Sequence, residues 1–265
     1  MSTGRGEIAR RAREAAGEGV ERVVVVGGDG TVNETLNGIL GGNGDAPELA
    51  VIMLGTGKDF ARSHRIPTDL RRAVEVAAHG QVVAVDAGRV RHRTGDGERV
   101  SYFGNVASAG MSGAVARRAD ASSKALGGRI SFFLALVRVF ARWQNVEMEV
   151  EVGEERRHGK MTNVVVANGP YHAGGMWLAP EARTDDGLFD VVLFGDISKV
   201  DFVTSVAKIY RGTHLTHPRI ELLRNATVSV ESARPLPLEL DGEHPGTTPA
   251  RFEIVPRALR LRVPG

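Results

Sequence analysis

The stretch Val23–Glu34, VVVVGGDGTVNE, decides the fold. Four consecutive valines leave no polar face, so Val23–Val26 is predicted as a fully buried parallel strand. The run stops abruptly at Gly27-Gly28-Asp29-Gly30, and a helical pattern follows over Val32–Leu40. The same order recurs downstream. Leu49–Leu54 reads as a second buried strand, Gly55-Thr56-Gly57 as its turn, and Leu70–Ala78 as the next helix; Ile8–Ala16 reads as a helix ahead of the first strand. Helices alternating with buried strands imply an open α/β sheet, a Rossmann-like unit in which ligands bind at the C-terminal strand ends. Both glycine turns fall there.

The pattern changes near Val82. Strand-like runs follow at Val82–Val90, Tyr102–Ala107, Val146–Val152, Asn163–Ala167, Leu188–Phe194, Thr227–Val230, Leu236–Leu240, Arg251–Val255 and Leu259–Val263. Two helical interludes, Arg129–Gln144 and Val200–Tyr210, break them, and the hydrophilic Arg91–Arg99 reads as a hairpin tip. The second part is thus expected to be a β-sandwich or flattened barrel.

Chemistry concentrates at the first turn. Glycines let backbone N–H groups approach phosphate oxygens, and the start of the following helix favours an anion. Asp29 stands in the middle of that cradle. A carboxylate beside a polyphosphate is repulsive unless a metal or a proton intervenes, so Asp29 implies Mg²⁺ nearby or a role in taking a proton from a hydroxyl. A plainer reading stands beside this one: Gly-Asp-Gly makes a strand-to-helix turn, and Thr31 with Glu34 forms a capping box. Asp241-Gly242 is similarly a strong hairpin-turn signal, and Asp185-Asp186-Gly187 a turn before the strand at Leu188.

Taken in order, the motifs resemble the diacylglycerol kinase, sphingosine kinase and bacterial lipid kinase family. GGDGTVNE and LGTGKDFAR (Leu54–Arg62) are followed by VDAG (Val85–Gly88), NVASAG (Asn105–Gly110), VANGPYHAGG (Val166–Gly175), PEARTDDGLFDVV (Pro180–Val192), LDGE (Leu240–Glu243) and VPRALRLRVP (Val255–Pro264). GGDGT alone would also suit an NAD kinase or a phosphofructokinase; the ordered set is far more specific. The resemblance implies an NAD kinase/diacylglycerol kinase-like α/β domain over residues 1–85, completed by returning strands at about 245–265, and a β-sandwich domain over 86–244. It implies phosphoryl transfer from Mg-ATP to a lipid hydroxyl, the alternative being a non-catalytic nucleotide- or lipid-binding relative.

The residues it would assign to ATP are Thr3, then Gly27, Gly28, Asp29, Gly30, Thr31, Val32, Asn33 and Glu34, then Gly55, Thr56 and Gly57. Asp241 would be the proton acceptor with Glu243 beside it, Asp29 being the rival base. Asp186, with the carbonyls of Leu188 and Arg183, would hold a structural Mg²⁺. Two departures stand out. Relatives open with a strand ending in an Asn-Pro-x-(Ser/Ala)-Gly loop, which this sequence lacks, implying an N-terminally shortened chain. Lys58 stands where the family carries Asn.

Bulk properties narrow the field further. No cysteine is present, which excludes disulfides, thiolate metal sites and cysteine nucleophiles. A net charge of only +2 over 265 residues gives no whole-chain argument for nucleic acid. The longest apolar run, Ile130–Ala141, is interrupted by Arg138 and falls short of a bilayer span. A cytoplasmic location is expected, with peripheral contact at the inner face of a membrane where the lipid lies. Arg117–Trp143, basic and partly aromatic, is either an amphipathic helix packed on the sandwich or a lip resting on anionic lipid. An unpaired sheet edge left by the absent first strand would favour a homodimer.

Overall fold

The computed structural model describes residues 6–42, 44–120 and 137–265. Strand β1 (Arg22–Gly27) and strand β2 (Glu48–Met53) run parallel, Arg22 opposite Glu48. Helix α1 (Glu7–Gly17) packs on helix α2 (Asp29–Leu40), and α2 lays Leu36 and Ile39 on Val25, Val51 and Leu49. Helix α3 (Asp59–Ser63) follows the second glycine turn. Helix α4 (Leu70–His79), whose N-terminus is capped by the Asp69 side chain on the Arg72 N–H at 3.0 Å, covers the other face of β2 with Ala73 and Ala77. Hence every residue of β2 is buried. The expectation of a fully buried β1 fails on one face. Val24 is 49% and Val26 54% exposed, because β1 is the edge strand and the apolar face of α4 packs on β2 instead.

Strand β3 (Gln81–Thr94) and strand β4 (Gly97–Phe103) form a hairpin, so most of the hydrophilic Arg91–Arg99 is strand and only Gly95-Asp96 is tip. The chain continues through strand β5 (Val106–Gly110), helix α5 (Met111–Asp120), strands β6 (Val146–Val152), β7 (Glu155–Met161) and β8 (Asn163–Ala167), and the short hairpin β9 (Tyr171–His172) and β10 (Met176–Trp177). Strand β11 (Phe189–Phe194), helix α6 (Lys199–Tyr210), strands β12 (Ile220–Asn225), β13 (Thr227–Ser232) and β14 (Leu238–Leu240), and the long β15 (Thr247–Val263) complete it. Of the Arg129–Gln144 helix expected from sequence, residues 137–142 are helical and the rest lies outside the described residues.

Among the described residues, one sheet of 8 strands runs β1-β2-β15-β13-β6-β7, with β3 and β4 on the other side of β15, and a second of 5 runs β12-β11-β8-β5-β14. The two pack face to face around Phe103, Phe189 and Phe252, all fully buried. Burial of each such side chain contributes about 2–3 kcal/mol. The two segments expected at Arg251–Val255 and Leu259–Val263 are one strand, β15, with a register shift against β3 between Val255 and Leu259. Its first half packs Phe252 into the sandwich; its second half carries Leu259 and Leu261 into the α/β core beside β2. Asp86 pins this bend, accepting from the Arg257 N–H at 2.7 Å and the Gly187 N–H at 2.8 Å.

The returning strand is also tied electrostatically. Glu48, 5% exposed, accepts from Arg22 at 3.0 Å, Arg262 at 2.9 Å and Arg260 at 3.1 Å. The Arg22 and Arg262 guanidinium groups hold its carboxyl below the usual glutamate range. A lowered folded-state value means stabilisation is complete above the unfolded value and is lost as pH falls through the folded one. Glu48→Gln is therefore expected to lower the urea midpoint at neutral pH and to flatten its decline below about pH 4.5; an unchanged acid limb would refute the linkage.

Candidate functional site

Helix α2 begins at Asp29, with extended Gly28 as its N-cap and no side chain capping it. Thr31 therefore lies inside the first turn, and the capping box expected from Thr31 and Glu34 does not form. The N-cap position supplies no side-chain acceptor to the early N–H groups of α2, an arrangement suited to an anion. The two glycine turns touch. A Cβ built on Gly55 would stand 2.5 Å from the Gly28 Cα, so neither turn tolerates a side chain without moving the other.

Asp29 joins the turns, its carboxylate accepting from the Lys58 N–H at 2.8 Å and the Phe60 N–H at 3.2 Å. Lys58 sits at φ 60°, a left-handed conformation that Asn enters far more readily. That gives a backbone reason for the Asn which the family resemblance implies at this position.

The LDGE segment forms a two-residue hairpin turn. Leu240 and Glu243 exchange backbone bonds at 2.8 and 2.9 Å, with Asp241 at φ 48° and Gly242 at φ 94°, as a type I′ geometry demands. The Asp241 carboxylate is encircled by donors: the N–H groups of Gly104 (2.8 Å), Asn105 (3.0 Å) and Val106 (2.9 Å), and the Asn33 amide (3.1 Å). Burial pushes its carboxyl up, and these bonds offset part of that rise. Four N–H donors have no use for a protonated acid, so the pocket is built for the ionised form. Glu243 points elsewhere. A Cβ on Gly30 would stand 2.8 Å from its Oε1, so this carboxylate lies against the first turn of α2. Asn33 and Asp241, residues far apart in the chain, thus bring the two motifs together.

A single cavity of about 780 Å³ runs from this junction. Gly28, Asp29, Gly30, Gly55, Thr56 and Gly57 line its mouth with Asp241 and Glu243. Away from the mouth its lining is mostly apolar, with Val165 and Phe194 of the second sheet and Val115, Met176, Phe202 and Ile209, beside Ser112 and Asn163. Of the other residues assigned from sequence, Val32 reaches the lining but belongs to the α/β core, and Asn33 is directed to Asp241 and the Tyr102 carbonyl. Gly27 is covered by the Thr31 side chain. Glu34 leaves a buried oxygen without a hydrogen-bond partner. Thr3 lies outside the described residues.

Two further buried carboxylates, Asp59 and Glu239, line the cavity, and Glu239 was not singled out from sequence. Asp59 accepts from Arg62 at 2.6 Å and the Gly174 N–H at 2.7 Å, and burial pushes its carboxyl up. Glu239 accepts from Ser108 at 3.0 Å and from the Gly242 N–H, and stands 3.4 Å from His172. Burial pushes it up as well. An alternating strand, Leu238-Glu239-Leu240, with both leucines in the core, was the available signal that Glu239 faces the opposite side.

The chemistry of the mouth suits Mg²⁺, which prefers carboxylate oxygens and phosphates; Asp29 would hold such an ion. The Asp186 turn fits less well. Asp186 is paired with Arg224 at 2.6 Å and accepts from the Leu188 N–H at 3.1 Å, so an arginine already supplies the positive charge that a metal would bring. Among the described residues no cluster of three or more acidic, His or Cys side chains forms a metal site.

Sheet order, crossing strand and uncapped glycine turn together define a two-part α/β and β-sandwich protein of the NAD kinase/diacylglycerol kinase type. The diacylglycerol kinase catalytic domain matches residues 1–90, and the YegS C-terminal NAD kinase beta sandwich-like domain matches residues 104–263. The chain belongs to the family defined by this YegS C-terminal domain, whose model covers more than half of it, and the diacylglycerol kinase catalytic domain precedes it. It is 29% identical over 261 residues to a diacylglycerol kinase of Staphylococcus carnosus, covering 98% of this chain and 82% of the relative. A crystal structure of a putative diacylglycerol kinase from Bacillus anthracis superposes with a TM-score of 0.81 at 23% identity, over 99% of this chain and 84% of that one. Yeast NADH kinase complexed with NADH is more remote, with a TM-score of 0.53 at 12% identity over 91% of this chain and 60% of that one.

Proposed function

We propose that the protein transfers the γ-phosphoryl group of ATP to the hydroxyl of a neutral lipid such as diacylglycerol. The observation that carries this is the continuous cavity, with a phosphate cradle and carboxylates at one end and an apolar hollow at the other. The nucleotide phosphates would rest on the N–H groups at Gly28–Gly30 and Gly55–Thr56, with the acyl chains over Val165, Phe194 and Phe202. Mg²⁺, when bound with the nucleotide near Asp29, supplies charge neutralisation for the phosphates. Glu243 takes the hydroxyl proton as the lipid oxygen bonds to the γ-phosphorus and the bond to the β–γ bridging oxygen breaks, releasing ADP. Asp241 positions: its bonds to residues 104–106 and to Asn33 fix the turn from which Glu243 projects. Catalysis of this kind is mainly positioning and charge stabilisation.

The test is transfer of labelled phosphate from ATP into the organic-soluble fraction with diacylglycerol in mixed micelles. Label in the lipid supports the reading; tight nucleotide binding without transfer would mark a non-catalytic relative, and transfer to NAD would refute a lipid acceptor.

A membrane-facing lip follows from the same reading. On α6, Phe202, Ile209 and Tyr210 line the cavity, while Val200, Val203 and Ala207 form an outer stripe at helical spacing. Val200 is 72% and Val203 58% exposed. Residues 137–142 pack beside it through Phe140 on Phe202, ring centroids 5.1 Å apart, and carry exposed Arg138 and Arg142. An apolar stripe flanked by cations suits an anionic bilayer. Val203→Asp is expected to reduce sedimentation with phosphatidylglycerol vesicles about tenfold, a ~1.4 kcal/mol effect, while leaving thermal stability unchanged; equal sedimentation would refute the lip. Of the Arg117–Trp143 stretch, residues 121–136 lie outside the described residues. No helix among the described residues is long and apolar enough to cross a membrane.

A further inference from the structure

Glu239 and His172 have no part in the chemistry derived above, yet both line the cavity. Glu239 is 2% exposed and is the middle residue of a strand whose neighbours face the sandwich core. Its register partner on β5 is Ser108, and the partner of Ser108 on β8 is Val165, part of the apolar lining. Along the chain, Glu239 instead leads into Gly242 and Glu243 at the mouth. The pair therefore lies where the cavity passes from its polar to its apolar part. His172 comes from the β9–β10 hairpin, which is tethered near the second glycine turn by the Gly174 N–H on Asp59 and reaches the hollow with Met176. A lipid with its hydroxyl at Glu243 and its chains over Val165 must cross this pair with the part of the headgroup adjoining the hydroxyl.

A buried carboxylate facing an imidazole is unfavourable as a lone charge and is relieved by sharing a proton. With the pair neutral overall, either as protonated Glu239 beside neutral His172 or as carboxylate beside imidazolium, the ring's other nitrogen, Nδ1, carries a hydrogen. The pair consequently offers the headgroup a donor. Asp59, which also lines the cavity, accepts from Arg62 and from the Gly174 N–H.

We infer that His172, braced by Glu239, is a positioning residue that hydrogen-bonds an ester carbonyl next to the reacting hydroxyl, selecting an ester-bearing glycerolipid over an ether lipid or an amine-bearing sphingoid base. This inference rests on the kinase reading and adds to it the part of the substrate that is recognised.

The test compares dioctanoylglycerol with di-O-octylglycerol, which keeps the hydroxyl and the chains but lacks the carbonyls. Wild type is expected to lose about tenfold or more in kcat/KM on the ether, chiefly through KM for the lipid, as a buried donor loses its partner. His172→Ala should treat the two lipids alike, with KM for ATP unchanged, and His172→Gln, which keeps a donor, should restore part of the preference. A wild type indifferent to the ester, or a variant that loses equally on both lipids relative to wild type, would overturn the assignment. If His172→Ala fails to fold, the wild-type comparison alone decides. No transfer to either lipid, with ATP still bound, would overturn the kinase reading and the pair's role with it.

Discussion

Glu243→Gln is expected to lower turnover about 10²–10⁴-fold, with ATP affinity changed by no more than about twofold, a few tenths of a kcal/mol. Gln fills the same space against Gly30 and keeps an acceptor oxygen, but it cannot take up a proton. Removing a general base while leaving ground-state contacts in place lowers kcat and kcat/KM together. Rapid-quench measurement of a single turnover reads the chemical step directly. Wild-type turnover in Glu243→Gln would transfer the base to Asp29 or Asp241, and a large loss of ATP binding would make Glu243 a nucleotide-site residue instead.

Asp241→Asn should behave as a stability variant. The substitution keeps the shape, and Asn accepts the left-handed conformation at φ 48°. What changes is the ring of donors. One carboxylate oxygen becomes an NH₂ that faces N–H groups, leaving two or more of them without an acceptor. At roughly 1–3 kcal/mol for each buried group stranded in this way, a cost of about 3 kcal/mol in unfolding free energy is expected. Activity should fall in proportion to the loosened turn and recover in part at low temperature. Full stability combined with abolished turnover would refute the positioning role and return Asp241 to proton transfer. The two variants thus separate the LDGE carboxylates by different readouts, one kinetic and one thermodynamic.

Much of this was legible in the chain. The valine run followed by glycines announced β1 and its turn because buried parallel strands are apolar throughout, and Val146–Val152 and Asn163–Ala167 were delimited to the residue by their patterning. The β7 strand, Glu155–Met161, escaped notice because its sequence ERRHGKM carries charges on both faces; it lies at the end of the large sheet, where pairing rather than burial holds it. The exposure of Val24 and Val26 was equally hidden, since composition cannot tell an edge strand from a central one. At the site, the motifs were visible but their division of labour was not. Asp241 and Glu243 stand two residues apart and look interchangeable in sequence; only the surrounding N–H groups distinguish them. Glu239 and His172 meet through pairing across the second sheet and a hairpin tethered to Asp59, contacts that no spacing in the chain encodes.

The central claim is that the two glycine turns and the LDGE turn form one nucleotide-binding mouth. Amide NMR shifts of the ¹⁵N-labelled protein titrated with Mg-ATP test it most directly. Saturable shifts concentrated at Gly28, Gly30, Gly55 and Thr56, with Gly242 and Glu243 moving along the same isotherm, are the predicted result. Shifts confined to another part of the molecule, such as the Asp186 turn, with both glycine turns silent, would contradict it.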